Sequence, residues 1–346
     1  MKLIFDIETD GLILSVTKIH CIVIKNIDTN KIYSFKYDEI DKALKLLSDA
    51  TLLVGHNILK FDIQVIKKLY PDFKYKAEIF DTLLVSRLIY TNRKEEDFRL
   101  KEVPTKCIGR HSLEAWGYRI GLRKGEFLKT GDFSKWSKEM QEYCELDVAV
   151  THELYKLILK QKYSPEAIQL EHNFAECIIR QEAHGFFFDV ASAKKLYASL
   201  ANRRSELEEI LASAFLNWKK YIGTFTPKRD NKTKGYKAGV GIKRYKEITF
   251  NPNSRDHISD RLINKGWKPK VYTPDGKPKV DETVLNSLPY KEAKILSEHF
   301  TIQKRIAQLA EGKQAWLKLE RNNKIYGKVI ENGAISGRCT HNSPNV

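Results

Sequence analysis

Apolar residues come in short runs near the start of the chain. Leu3 to Phe5, Ile19 to Ile24 and Ile32 to Phe35 are each followed by turn residues, and the first two are rich in β-branched side chains. This spacing predicts three successive strands in a meander. The period then changes: Ile40 to Leu47 recurs at helical spacing and Leu52 to Val54 reads as a buried strand. Further helices are expected from about Lys60 to Tyr70, from near Asp81, and from about Lys138 to Lys160, where Met140, Tyr143, Cys144, Val148 and Leu154 keep near a helical period. Strands alternating with helices predict an α/β layer structure. Beyond a hinge at Pro165 the pattern is helical, from Glu166 to about Gln181 and from Ala191 to Phe215, the latter without glycine or proline and with its leucines on one stripe. From Lys228 to Lys246 periodicity is lost. Eight basic residues, one acid and three glycines (Gly235, Gly239, Gly241) predict a mobile basic loop there. Asn251-Pro252-Asn253-Ser254 reads as a helix start leading into Arg255 to Lys265. The expected division is an α/β domain over residues 1–164 and a mainly helical region over 165–346, with a basic loop at 226–246.

Composition narrows the class. With 346 residues, 42% hydrophobic and 30% charged, the chain is neither disordered nor membrane-embedded in character. No run approaches the ~18 apolar residues of a membrane span, and Met1 to Gly11 meets acids too early for a signal peptide, so a protein of the cytoplasm is expected. Five cysteines, odd in number, far apart and without a CxxC pair, argue against a disulfide framework or a zinc site. The 60 lysines and arginines against 44 acids leave a net charge of +16, concentrated after residue 160, which favours a polyanionic partner such as nucleic acid.

Candidate chemistry starts at the first strand. Alternation puts Asp6 and Glu8 on one face with Ile7 turned into the core, and two close carboxylates repel unless a cation lies between them. Hard oxygen ligands select Mg²⁺ or Mn²⁺ over zinc. Gly55-His56-Asn57 follows the fourth strand, and the next helix brings Asp62 within one turn. On the last helix of the domain Tyr143 and Asp147 are four apart, so a phenol and a carboxylate share a face. Singly, each has an ordinary explanation: a solvated strand end, a first-turn acid, a half-buried aromatic, an acidic face shared with Glu142 and Glu145. Asp81 and His111 read as a helix cap and a packing residue.

Taken in order, these residues resemble the proofreading 3′-to-5′ exonuclease domain of family A (DNA polymerase I type) polymerases, a ribonuclease H-like fold of the DEDD group. Asp6-Ile7-Glu8 is similar to its first motif, Asn57-Ile58-Leu59-Lys60-Phe61-Asp62 to the second and Tyr143-Cys144-Glu145-Leu146-Asp147 to the third, of the tyrosine subtype. The resemblance narrows to the replicative polymerases of T-seven-like bacteriophages through Ser15 to Cys21, Asp81 to Ile89, His111 to Tyr118, Phe250 to His257, Ile302 to Ile306 and Gly333 to Arg338, which together span nearly the whole chain.

The resemblance implies two Mg²⁺ (or Mn²⁺) ions held by Asp6, Glu8, Asp62 and Asp147, with Tyr143 and Glu8 orienting the attacking water. The implied substrate is a single-stranded or frayed DNA 3′ end near Leu12, His56 and Asn57. For the second half it implies a thumb that grips primer-template DNA, with Arg255, Lys304, Arg305 and Arg338 as DNA contacts; Ser336-Gly337-Arg338 looks like the family's Gly-Arg element, with Ala334 departing from it. Lys228, Lys232, Lys234 and Lys237 lie in the basic loop, where phage members insert a thioredoxin-binding segment; here the segment looks much shorter, and thioredoxin as partner stays open. The palm aspartates and fingers of the family are not in this sequence, so primer extension is expected to need a complementing chain. The expectation is the amino-terminal part of a replicative DNA-directed DNA polymerase. A stand-alone exonuclease and a non-catalytic DNA-binding clamp are the alternatives.

Overall fold

The computed structural model describes residues 1–100, 102–122 and 131–344. It divides into two compact units, Met1–Gly185 with Tyr326–Val346, and Phe186–Ile325.

The first unit is built on a five-stranded mixed sheet in the order β3-β2-β1-β4-β5. Strands β1 (Lys2–Thr9), β2 (Ile19–Asn26) and β3 (Ile32–Lys36) form the expected antiparallel meander. β4 (Leu52–Gly55) and β5 (Glu78–Asp81) add parallel strands on the other side of β1, with Leu3 opposite Leu53 and Val54 opposite Phe80. β1 is central and covered on both faces, which is why its apolar residues do not simply alternate with polar ones. Leu3, Phe5 and Ile7 pack with Leu47, Ile58 and Ile63 near helices α1 (Ile40–Ser48) and α2 (Asp62–Leu69). Ile4 faces the other way, with Cys21, Val23 and Val54, against Met140, Cys144 and Val148 of helix Lys138–Lys160. That helix begins at Ser137, whose hydroxyl caps the Met140 N–H at 3.1 Å. β5 was not foreseen because only Ile79 and Phe80 mark it, too short a run to carry a period. Helices Arg93–Arg99 and Leu113–Ile120 were likewise not foreseen.

The boundary between units falls elsewhere than the expected residue 164. Helix Pro165–His184 buries His172, Ala175 and Ile178, and Ala175 joins the β1–α2 core, so the first unit runs on to Gly185. The segment expected in the second region at 326–346 also belongs to the first unit. Its strands Lys328–Ile330 and Thr340–Asn342 pair with each other, and Lys60 Nζ reaches Val329 O at 2.8 Å, the buried Glu331 at 2.7 Å and Glu182 at 3.3 Å. Pattern alone cannot show a return of this kind, since the contacts are separated by more than a hundred residues of chain.

The second unit packs the long helix Val190–Ala214 with helix Lys291–Ile306 through Leu207, Ile302 and Ile306. A further core gathers Leu211, Phe215, Phe250, Ile258 and Leu296. The expected helix start at Ser254 is present, its hydroxyl accepting from His257 N at 3.3 Å. The expected irregular basic loop is in part a hairpin: Trp218–Phe225 and Ile242–Ile248 pair antiparallel, and residues 226–241 join them around a short turn at Lys232–Lys234. Both faces of this ribbon are largely exposed, so no buried face imposes an alternation that a sequence could display. Among the described residues no helix is long and apolar enough to cross a membrane.

Candidate active site

The site forms at one end of β1. Asp6 is half-buried and Glu8 buried, two residues apart on the strand. A carboxylate oxygen of each lies within 4.8 Å of the other and of Cys144 Sγ on helix Lys138–Lys160. Between them, the Ile7 N–H donates to Asp62 Oδ1 at 3.2 Å, so the first residue of α2 is bonded to the backbone of the strand that carries the first two acids.

The path of the chain into Asp62 is tightly made. Gly55 ends β4 against Phe5; a Cβ there would meet Ile58 Cγ2 at 2.0 Å and Phe5 O at 3.0 Å, so the close approach needs glycine. Asn57 follows at φ +67°. Asp81 holds the turn from beneath: its carboxylate accepts from Asn57 N at 2.9 Å, Leu59 N at 3.1 Å and Leu83 N at 2.9 Å. It is thus the cap of helix Thr82–Ile89, as expected, and also a clamp on the second motif, which the sequence reading missed. His56 Nδ1 meets Thr82 Oγ1 at 2.9 Å, and that hydroxyl donates to Gly55 O at 3.0 Å. His111 has the packing role expected of it, 3.1 Å from Ser86 Oγ and edge-on to Trp116; burial and the Arg87, Arg119 and Arg93 charges push its imidazole down to about 4.

Electrostatics place the remaining members with these acids. Burial, then the Asp81 and Asp147 charges, push the Asp62 carboxyl up to about 7, against the hydrogen bonds it accepts. Burial, the charges of Asp147, Glu8 and Asp6, and a hydrogen bond with Asp147 raise the Tyr143 phenol far above its ordinary range. Tyr143 and Asp147 are both buried, on the face of their helix that meets β1. All five residues therefore face one cluster of negative charge, the arrangement that a divalent cation relieves.

The donor chemistry fits a hard cation. Asp6, Glu8, Asp62 and Asp147 offer oxygen alone. Cys144, although close, has its thiol raised by burial, by its hydrogen bond with Cys21 and by the Asp6 charge, so it stays protonated and donates to Asp6 O at 3.4 Å and Oδ2 at 3.5 Å.

The other candidate residues lie apart from the acids along the chain. Leu12, on the loop after β1, is 73% exposed. Lys228, Lys232, Lys234, Lys237, Lys304 and Arg305 are exposed on the second unit, and Arg255 there stacks its guanidinium 3.7 Å from the Phe300 ring centre. Arg338 is exposed on the first unit, on the loop between Lys328–Ile330 and Thr340–Asn342, where Gly337 adopts φ +76°.

Residues 3–159 match the RNase_H superfamily, and the mixed five-stranded sheet flanked by helices is that fold. The first unit is thus a ribonuclease H-like domain. The chain is 34% identical over 438 aligned positions to the DNA-directed DNA polymerase of Escherichia phage T7 and 33% identical to that of Enterobacteria phage T3, in each case covering 99% of this chain and 62% of the relative. It is similar to these phage DNA polymerases over nearly its whole length and spans about 62% of theirs. The alignment is longer than the chain itself, so the relatives carry insertions that this chain lacks.

Proposed function

We propose that the first unit is the proofreading 3′-to-5′ exonuclease of a DNA polymerase, acting on single-stranded or frayed DNA 3′ ends with Mg²⁺ or Mn²⁺. The observation that carries this reading is the gathering of Asp6, Glu8, Asp62 and Asp147, with Tyr143, at one end of the central strand of a ribonuclease H-like sheet. Asp6, Glu8 and Asp147 would hold a first cation, and Asp62, with Asp6, a second. Such a pair would supply the means to make a water nucleophilic near neutral pH and to offset charge on the leaving oxyanion. Tyr143 keeps its proton across the working range, its O–H donating to Asp147, and with Glu8 its phenolic oxygen would orient the attacking water by accepting from it. Leu12, His56 and Asn57, on the loops after β1 and β4, offer the surface for the terminal base, which must leave its stack for the phosphodiester to lie across the carboxylates.

The basic hairpin of the second unit serves as a DNA grip. Lys220 stands directly opposite Lys246 across its strands, a cost that a polyanion relieves, and Tyr221 and Tyr245 lie edge to face at 5.8 Å between exposed cations. Arg338 adds a phosphate contact.

The test is release of nucleotides from a 5′-labelled single strand. The Asp6→Ala, Glu8→Ala double variant is expected to abolish Mg²⁺-dependent shortening while binding duplex DNA nearly as before. Undiminished shortening by that variant overturns the assignment.

A further inference from the structure

The Asp81 clamp is itself held, and by a helix outside the expected domain. The Asp81 N–H donates to His172 Nε2 at 2.8 Å, from helix Pro165–His184. Because a backbone N–H can only donate, Nε2 must carry the lone pair. Nδ1 then carries the proton, and it lies 2.8 Å from Ile168 O, one turn back on the same helix. His172 and Asp81 are both buried, so neither bond is exchanged for water. A continuous set of hydrogen bonds thus runs from Ile168 O through the imidazole to the Asp81 backbone, from the Asp81 carboxylate to the amides of Asn57 and Leu59, and through that turn to Asp62, which closes on Ile7 between Asp6 and Glu8.

We propose that His172 is a positioning residue of the nuclease site: as a neutral Nδ1–H imidazole it fixes Asp81, Asp81 fixes the 57–59 turn, and the turn sets where the Asp62 carboxylate stands. The proposal rests on the nuclease reading above. Asp81 has a carboxylate with three donors to satisfy and one backbone donor of its own. Loss of the imidazole acceptor leaves that N–H buried and unpaired, and the cheapest relief is a shift of the β5–helix junction, which carries the turn with it. Helix Pro165–His184 is on this account part of the nuclease, although the superfamily match ends at residue 159.

The experiment uses the full chain and begins without metal. The ¹⁵N shifts of the His172 ring in the wild type should show a protonated Nδ1 and an acceptor Nε2; the opposite tautomer overturns the proposal whatever any variant does. In His172→Phe, amide exchange at Asn57 and Leu59 should quicken about tenfold or more while the β2 amides stay unchanged, since only a local opening is loosened. His172→Gln, which returns a carbonyl acceptor, should restore slow exchange. With Mg²⁺ added, His172→Phe should need a higher Mg²⁺ concentration for half-maximal shortening of a single strand. Exchange that quickens uniformly across the unit, or an Mg²⁺ midpoint identical to wild type, overturns the proposal. Asp62→Ala separates the two readings: if that variant still shortens DNA, the nuclease assignment fails, whereas its inactivity beside an unchanged His172→Phe midpoint sinks only the inference.

Discussion

Asp62 sets function against stability, and Asp62→Asn exposes the conflict. The carboxyl is buried beside Asp81 and Asp147 and stands at about 7 in the folded chain; unfolded, it would sit at about 3.9. A raised carboxyl contributes no penalty below pH ~4, where both states are protonated. The penalty grows as pH rises from about 4 to 7 and is constant above, because there the folded chain must hold a charge that it disfavours. Three units correspond to about 4 kcal/mol, and since neighbouring acids share the cost, about 2–4 kcal/mol is the expected range. Asparagine keeps an oxygen for the Ile7 N–H while removing the charge, so without metal at pH 8 the first unit should be more stable by that amount. Native-state exchange of the buried β2 amides reports this unit by itself and should slow roughly 30- to 1000-fold in EDTA at pH 8, with the gain gone near pH 4. Added Mg²⁺ should stabilise the wild type far more than the variant. An Asp62→Asn chain no more stable than wild type at pH 8 in EDTA would refute the reasoning, because the carboxylate would then bear no penalty for a cation to relieve.

Other expectations follow from the same geometry. Asp97 is buried, and although burial pushes its carboxyl up, the Arg119 hydrogen bonds at 2.9 and 2.7 Å and the Gly109 N–H at 2.8 Å leave it below its ordinary range. Asp97→Ala should cost about 3–5 kcal/mol at pH 7 by leaving Arg119 buried without its partner, with the loss shrinking below pH ~4, and chemical denaturation at the two pH values checks it. Lys60→Met and Glu331→Leu should each destabilise the first unit by about 3 kcal/mol, whereas the two together should cost less than the sum, as a double-mutant cycle will read. Replacing Lys228, Lys232, Lys234 and Lys237 by glutamine should weaken duplex binding and reduce the slope of log affinity against log salt by about 1 for each lysine that contacts phosphate; an unchanged slope assigns the hairpin another role.

The fold of the first unit was legible where burial imposes a period. β1, β2 and β3, α1 and helix Lys138–Lys160 appear within a residue or a few of their expected limits, because each has a face that must avoid water. Asp6, Glu8, Asp62, Tyr143 and Asp147 could be picked out because strand alternation and the four-residue helical spacing place them locally, and their order along the chain matched a known family. The hairpin of the second unit escaped notice, since a ribbon exposed on both faces has nothing to alternate.

Position in the chain thus determined the elements, the acidic residues and the basic second half, all of which are properties of short stretches or of composition. Tertiary structure alone decided that residues 326–346 return to the first unit, that Lys60 meets Glu331, and that His172 reaches Asp81. These are contacts between distant segments, whose formation depends on the packing of a whole core rather than on any local preference, and a polar side chain in a sequence does not reveal which buried partner will satisfy it.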